Sequence, residues 1–149
     1  KQKVCIFMLK KVDEKVIPFE YSTSINTGDI AAFLLTDLGK RMAVAYRNGL
    51  LVREKPFMMG IPATDVDDKF PMEEMILIQG IIDAFFIEDG EIVLLDYKTD
   101  KVRDDKALTD RYKIQLDYYK RALEKATGKV VKQVYIYSFC LGREIELNI

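Results

Sequence analysis

No histidine occurs among the 149 residues. Histidine is the usual neutral-pH general base and a common donor in zinc centres, so its absence argues against zinc chemistry and histidine-based catalysis. The two cysteines, Cys5 and Cys140, have no metal-ligand spacing. They read as reduced thiols of a cytoplasmic chain rather than as a disulfide framework. No apolar run approaches the ~20 residues needed to span a bilayer. Signal-peptide patterning is absent, as are repeats and low-complexity segments. Nothing resembles a phosphate-cradling glycine loop, which disfavours a small-molecule phosphohydrolase.

What is present fits a folded, soluble domain. Hydrophobic residues make up 49% and charged residues 32%, enough for a core under a solvated surface. The net charge of −1 is unevenly spread. Residues 98–132 carry 11 basic against 6 acidic side chains, while residues 1–97 carry 11 against 16. This basic stretch is either the solvated side of an amphipathic helix or a flank that contacts phosphates.

The most informative stretch is Gln79 to Asp100, QGIIDAFFIEDGEIVLLDYKTD. Asp89-Gly90 between apolar runs predicts a hairpin. Counting outward from the turn sets 88 against 91, 86 against 93 and 83 against 96. Asp83 and Asp96 should therefore face each other on one side of the sheet, their Cβ atoms roughly 4.5–5.5 Å apart. Lys98, two residues on, points to the same side. Opposed carboxylates are costly in a sheet unless they share a proton or a cation. Two acids and a lysine suit a hard divalent ion with a phosphate beside it. A structural Asp–Lys ion pair at a strand end is the plainer alternative. Ile82, Ala84 and Phe86 are expected on one face and Ile81 and Phe85 on the other, as in a central strand covered on both sides.

The pattern Gly80-Ile81-Ile82-Asp83, then Asp96-Tyr97-Lys98, then Gln115-Leu116-Asp117-Tyr118-Tyr119 resembles the PD-(D/E)xK nuclease core of the RecB type. The wording of residues 37–57 is similar to the C-terminal part of the AddA-type subunit of bacterial AddAB helicase–nucleases, and the resemblance covers roughly residues 28–149. It implies a restriction-endonuclease-like α/β fold, a mixed central sheet flanked by helices. It further implies Mg²⁺, or Mn²⁺ in its place, held by Asp83, Asp96 and the Tyr97 carbonyl, with Lys98, Gln115 and Tyr119 acting beside it. DNA, as a single strand leaving an unwound duplex, would be the substrate. An ATP-driven helicase region and an AddB-type subunit would be partners in double-strand-break repair. A non-catalytic DNA-binding or docking module of the same fold is the alternative. The family usually carries an N-terminal helix with a histidine near the site. With none here, residues 1–149 are expected to be a single nuclease domain cut from a longer polypeptide.

Along the rest of the chain, residues 3–9 form an apolar run that suits either a strand or a helix end, and residues 10–27 a loop. A helix is expected from an Asp29 cap, and a second, capped by Thr36 or Asp37, runs to Arg47. A strand spans 50–60, with Pro56 suggesting an edge. Glu54 within it is either an exposed charge or, by the resemblance, an acid supporting the metal site. Residues 61–74 read as a surface loop. A helix over 107–127 ends at Gly128. On it Gln115 falls inside the apolar stripe, where its amide either bonds nearby backbone or reaches a water on the metal, the lysine or a DNA phosphate. Tyr119 is either core or a base-stacking partner. Strands follow at 130–139 and 143–147.

Overall fold

The computed structural model describes residues 26–149. The expectations for residues 3–9 and for most of the 10–27 loop lie outside these residues, as does Cys5. Cys140 is an exposed free thiol.

Two short helices come first. Helix α1 (Thr27–Leu35) starts before the Asp29 cap predicted, because Asn26 accepts from the Gly28 N–H. Thr36 caps α2 (Asp37–Arg47) as expected, its hydroxyl accepting from the Gly39 N–H at 3.0 Å. Strand β1 (Leu51–Pro62) runs straight through Pro56, which an edge strand tolerates. A single 3₁₀ turn (Ala63–Asp65) follows, then β2 (Met75–Glu88) and β3 (Glu91–Lys98). Helix α3 (Asp105–Thr127) is capped by Asp104 and stopped by Gly128 in the left-handed conformation, φ 68°. Strands β4 (Val131–Ser138) and β5 (Arg143–Glu146) complete the chain.

The strands form one mixed sheet in the order β1-β2-β3-β4-β5. Only the β3–β4 pair is parallel, and the chain between them is helix α3, the crossover a parallel pair requires. Asp89 and Gly90 both adopt positive φ, 55° and 85°, as the tight hairpin turn demands. The resulting register sets Glu88 against Glu91 and Phe86 against Val93.

Helix α3 covers one face of the sheet. Leu108, Leu116, Tyr119 and Leu123 pack there on Ile82, Phe85, Ile92, Leu94 and Ile136. Helices α1 and α2 cover the other face, with Phe33, Leu38 and Ala45 on Ala84, Phe86, Val93, Leu95 and Tyr137. Strand β3 is thus sandwiched, and each of its buried aliphatic side chains contributes about 1.5–3 kcal/mol.

Two expectations need correction. Residues 61–74 are not all loop, since β1 extends to Pro62; β2 likewise begins at Met75, not Gln79, so the two strands make a long ribbon. The face assignment around Asp83 also fails. Ile82 joins Phe85 on the α3 side, and Ile81 is 58% exposed. Strict alternation breaks at this point: Glu54, in the β1 register position opposite Asp83, takes a left-handed φ of 51°. A non-glycine residue in that conformation twists the strand out of its regular pleat.

Candidate metal-binding site

The β2–β3 ladder ends at Ala84 and Leu95, and Asp83 and Asp96 occupy the next register position. There the strands cease regular pairing, and a side chain takes over a main-chain donor. The Tyr97 N–H donates to Asp83 Oδ2 at 2.9 Å. This bond anchors the Asp83 carboxylate beside the backbone between Asp96 and Lys98.

Asp96 belongs to the buried centre of the sheet, its side chain only 3% exposed. Lys98 Nζ lies 2.7 Å from Asp96 Oδ2. The ammonium stands off the direction of a good hydrogen bond, so Oδ2 is buried without a well-aligned donor. Burial pushes the Asp96 carboxyl above its ordinary range, Lys98 opposes that, and the Asp83 charge adds to it. The two acids therefore share one electrostatic site. The Tyr97 phenol, on the opposite face against Phe33, is pushed up to about 12 by burial and then by Asp83.

The donor set fits a hard cation. Asp83, Asp96 and the Tyr97 carbonyl offer only oxygen, and Asp96 holds a buried lone pair with no aligned proton. Among the described residues no group of three or more His, Cys, Asp or Glu side chains converges on a common point. Mg²⁺ retains several waters and asks for few carboxylates, so a sparse oxygen set suits it.

Gln115 and Tyr119 pair with each other. Gln115 Nε2 donates to the Tyr119 hydroxyl at 2.5 Å. The Tyr119 ring stands edge-on to Phe57 at 5.3 Å. Gly80 leaves room for this contact, because a Cβ there would come within 2.9 Å of the Phe57 ring. With Ile78, Gln79, Ile114 and Tyr118 these residues line a groove of about 350 Å³ between the β1–β2 ribbon and α3. The Gln115 amide thus meets a side chain, not the backbone, and it bonds neither Lys98 nor an acid. Glu54 is exposed. The basic excess of residues 98–132 is partly neutralised locally, since Lys106, Arg111, Arg121 and Lys132 pair with Asp110, Asp100, Asp65 and Glu88.

Sequence reasoning missed two residues at this site, Tyr112 and Asp100. Tyr112 lies under Lys98, with Nζ 4.0 Å from the ring centroid. Its hydroxyl donates to Asp100 Oδ2 at 2.9 Å. The available signal was position alone: Tyr112 lies on the helical stripe shared by Gln115 and Tyr119, whose helix packs against the end of β3.

Paired acids and a lysine across a broken ladder, with a Gln–Tyr pair on the covering helix, match a family model. Residues 12–143 fit the model of the PD-(D/E)XK nuclease superfamily. The chain belongs to that superfamily. It is also similar to the AddA-type subunits of the ATP-dependent helicase/nucleases of several clostridia. Identity is 40% over 148 residues with the Clostridium perfringens strain SM101 protein, covering 95% of this chain and 12% of that one. It is 44% over 137 residues with the Clostridium botulinum strain Alaska E43 protein, covering 89% and 11%. For Clostridium novyi strain NT it is 40% over 143 residues, covering 92% and 11%. The nuclease-superfamily domain therefore spans 11–12% of the length of these relatives. No helix among its described residues is long and apolar enough to cross a membrane.

Proposed function

We propose that this domain hydrolyses DNA phosphodiesters with Mg²⁺, as the nuclease part of a helicase/nuclease polypeptide. The observation that carries the reading is the convergence of Asp83, Asp96 and Lys98 where the β2–β3 ladder ends. Asp83 and Asp96 would hold the ion, with the Tyr97 carbonyl as a third protein oxygen. When bound, such an ion acts as a Lewis acid and makes a water nucleophilic near neutral pH.

The remaining work falls to side chains. Lys98 carries its positive charge on an ammonium held beside Asp96, where it can meet a phosphate oxygen that gains negative charge as the bond breaks. Asp83 is kept in position by the Tyr97 N–H, so neither acid must be ordered when substrate arrives. The groove lined by Gln115, Tyr118 and Tyr119 offers aromatic faces and an amide to a single strand. Lys113 and Lys125, exposed on α3, add basic charge for phosphates. The names of the relatives support an ATP-driven helicase region in the same polypeptide, a single strand emerging from an unwound duplex as substrate, and an AddB-type partner. On this reading the protein works in cytoplasmic double-strand-break repair.

The test is cleavage of single-stranded DNA with and without Mg²⁺. Wild-type chain should cut only with the ion, and Asp96→Ala and Lys98→Ala should lose that cleavage. Undiminished cutting by either variant would remove the assignment.

A further inference from the structure

The geometry points to Tyr112 as a positioning residue that holds the Lys98 ammonium in place, an inference that rests on the proposed nuclease reading. Lysine carries a flexible four-carbon stem, and at the end of a strand nothing in its own backbone fixes where the charge goes. Here the ammonium is confined from two sides. Asp96 Oδ2 lies 2.7 Å away on one side and the Tyr112 ring face 4.0 Å away on the other. With Lys98 only 14% exposed, the ring interacts with a largely desolvated cation, the condition under which such contacts are strongest.

The ring is itself fixed. Its hydroxyl donates to Asp100 Oδ2, and Asp100 Oδ1 accepts from Arg111 Nη1 at 2.8 Å. The tyrosine hydrogen bond, with Arg111 adding to it, holds the Asp100 carboxyl below its usual range. Asp100 thus ties the loop after β3 to the first half of α3 through two neighbouring side chains. Lys98 has no well-aligned hydrogen bond to Asp96 to set its direction, so the ring supplies the missing constraint.

The full chain decides this with two readouts. In the ion-free protein, the Cε protons of Lys98 should resonate upfield of a free lysine, because they lie against an aromatic face. Tyr112→Phe keeps the ring and should keep that displacement, whereas Tyr112→Leu should abolish it. In the cleavage assay, Tyr112→Leu should lower kcat about tenfold, the scale of one partly buried cation–π contact, with KM for DNA unchanged. Tyr112→Phe should restore kcat to within about threefold. Thermal melts of both variants establish that they fold. The inference is overturned if Tyr112→Leu keeps the upfield signal, or if Tyr112→Phe is as impaired as Tyr112→Leu. Should the wild-type chain cut no DNA, the nuclease reading fails and the Lys98 signal alone decides the positioning.

Discussion

Replacing Asp83 with asparagine separates what the site costs from what it does. The variant keeps an oxygen to accept the Tyr97 N–H, now 2.9 Å from Asp83 Oδ2, and removes the charge that helps push up Asp96. Two opposed changes follow. A neutral acceptor makes a weaker bond than a charged one, by about 1 kcal/mol. Relief of like charges across neighbouring strands returns about 0.2–1 kcal/mol. Ion-free stability should therefore stay within about 1 kcal/mol of wild type, a Tm change of no more than about 2–4 °C at this chain length. Asp83→Ala removes the acceptor altogether and should cost about 1–3 kcal/mol more, since the Tyr97 N–H loses the carboxylate it bonds. In contrast, Mg²⁺ should raise the urea midpoint of wild type and of neither variant, and both variants should fail to cut DNA. Urea denaturation with and without Mg²⁺, run beside the cleavage assay, measures all of this. The reasoning is refuted if Asp83→Asn cuts at the wild-type rate, or if it destabilises as much as Asp83→Ala.

Two further predictions concern the frame. Arg41 bonds Glu88 through two nitrogens at 2.9 and 2.7 Å and draws that carboxyl down from its usual 4.5 to about 2. Because the folded pKa lies below the unfolded one, this stabilisation is complete above pH 4.5 and fades as pH falls toward 2. With the pair 28–30% exposed, screening reduces its worth to about 1 kcal/mol. Urea midpoints at pH 7 and pH 3 should converge between wild type and Arg41→Gln; an unchanged gap would contradict the assignment. Gly39→Ala would place a methyl on the Phe33 carbonyl oxygen, which also accepts the Thr36 N–H and hydroxyl. It should cost about 1–3 kcal/mol by denaturation, despite alanine's better helix propensity; a stabilised variant would contradict that packing.

Much of the frame was legible because short-range chemistry sets it. Asp89-Gly90 specified the turn and with it the register that brings Asp83 level with Asp96. Thr36 and Gly128 marked helix ends through groups that act within a few residues. The features that escaped notice depend on distant partners. No local signal places Glu54 at φ 51° or lets Ile82 and Phe85 share a face, because that break arises where three strands meet. Met75 to Ile78 read as loop because the preceding prolines and acids outweighed a run that is half exposed as a ribbon. Tyr112 could be placed on the correct stripe of α3, but its position under Lys98 follows from the docking of that helix on the end of β3.

The account depends on a divalent ion lying between two carboxylates where the central hairpin loses its ladder. Diffraction from crystals soaked in Mn²⁺, with anomalous data collected at its absorption edge, tests this most directly. The account predicts an anomalous peak in contact with both Asp83 and Asp96 and absent from Asp96→Asn crystals. Saturating Mn²⁺ with no peak there, or a peak bound only at the surface, would contradict it.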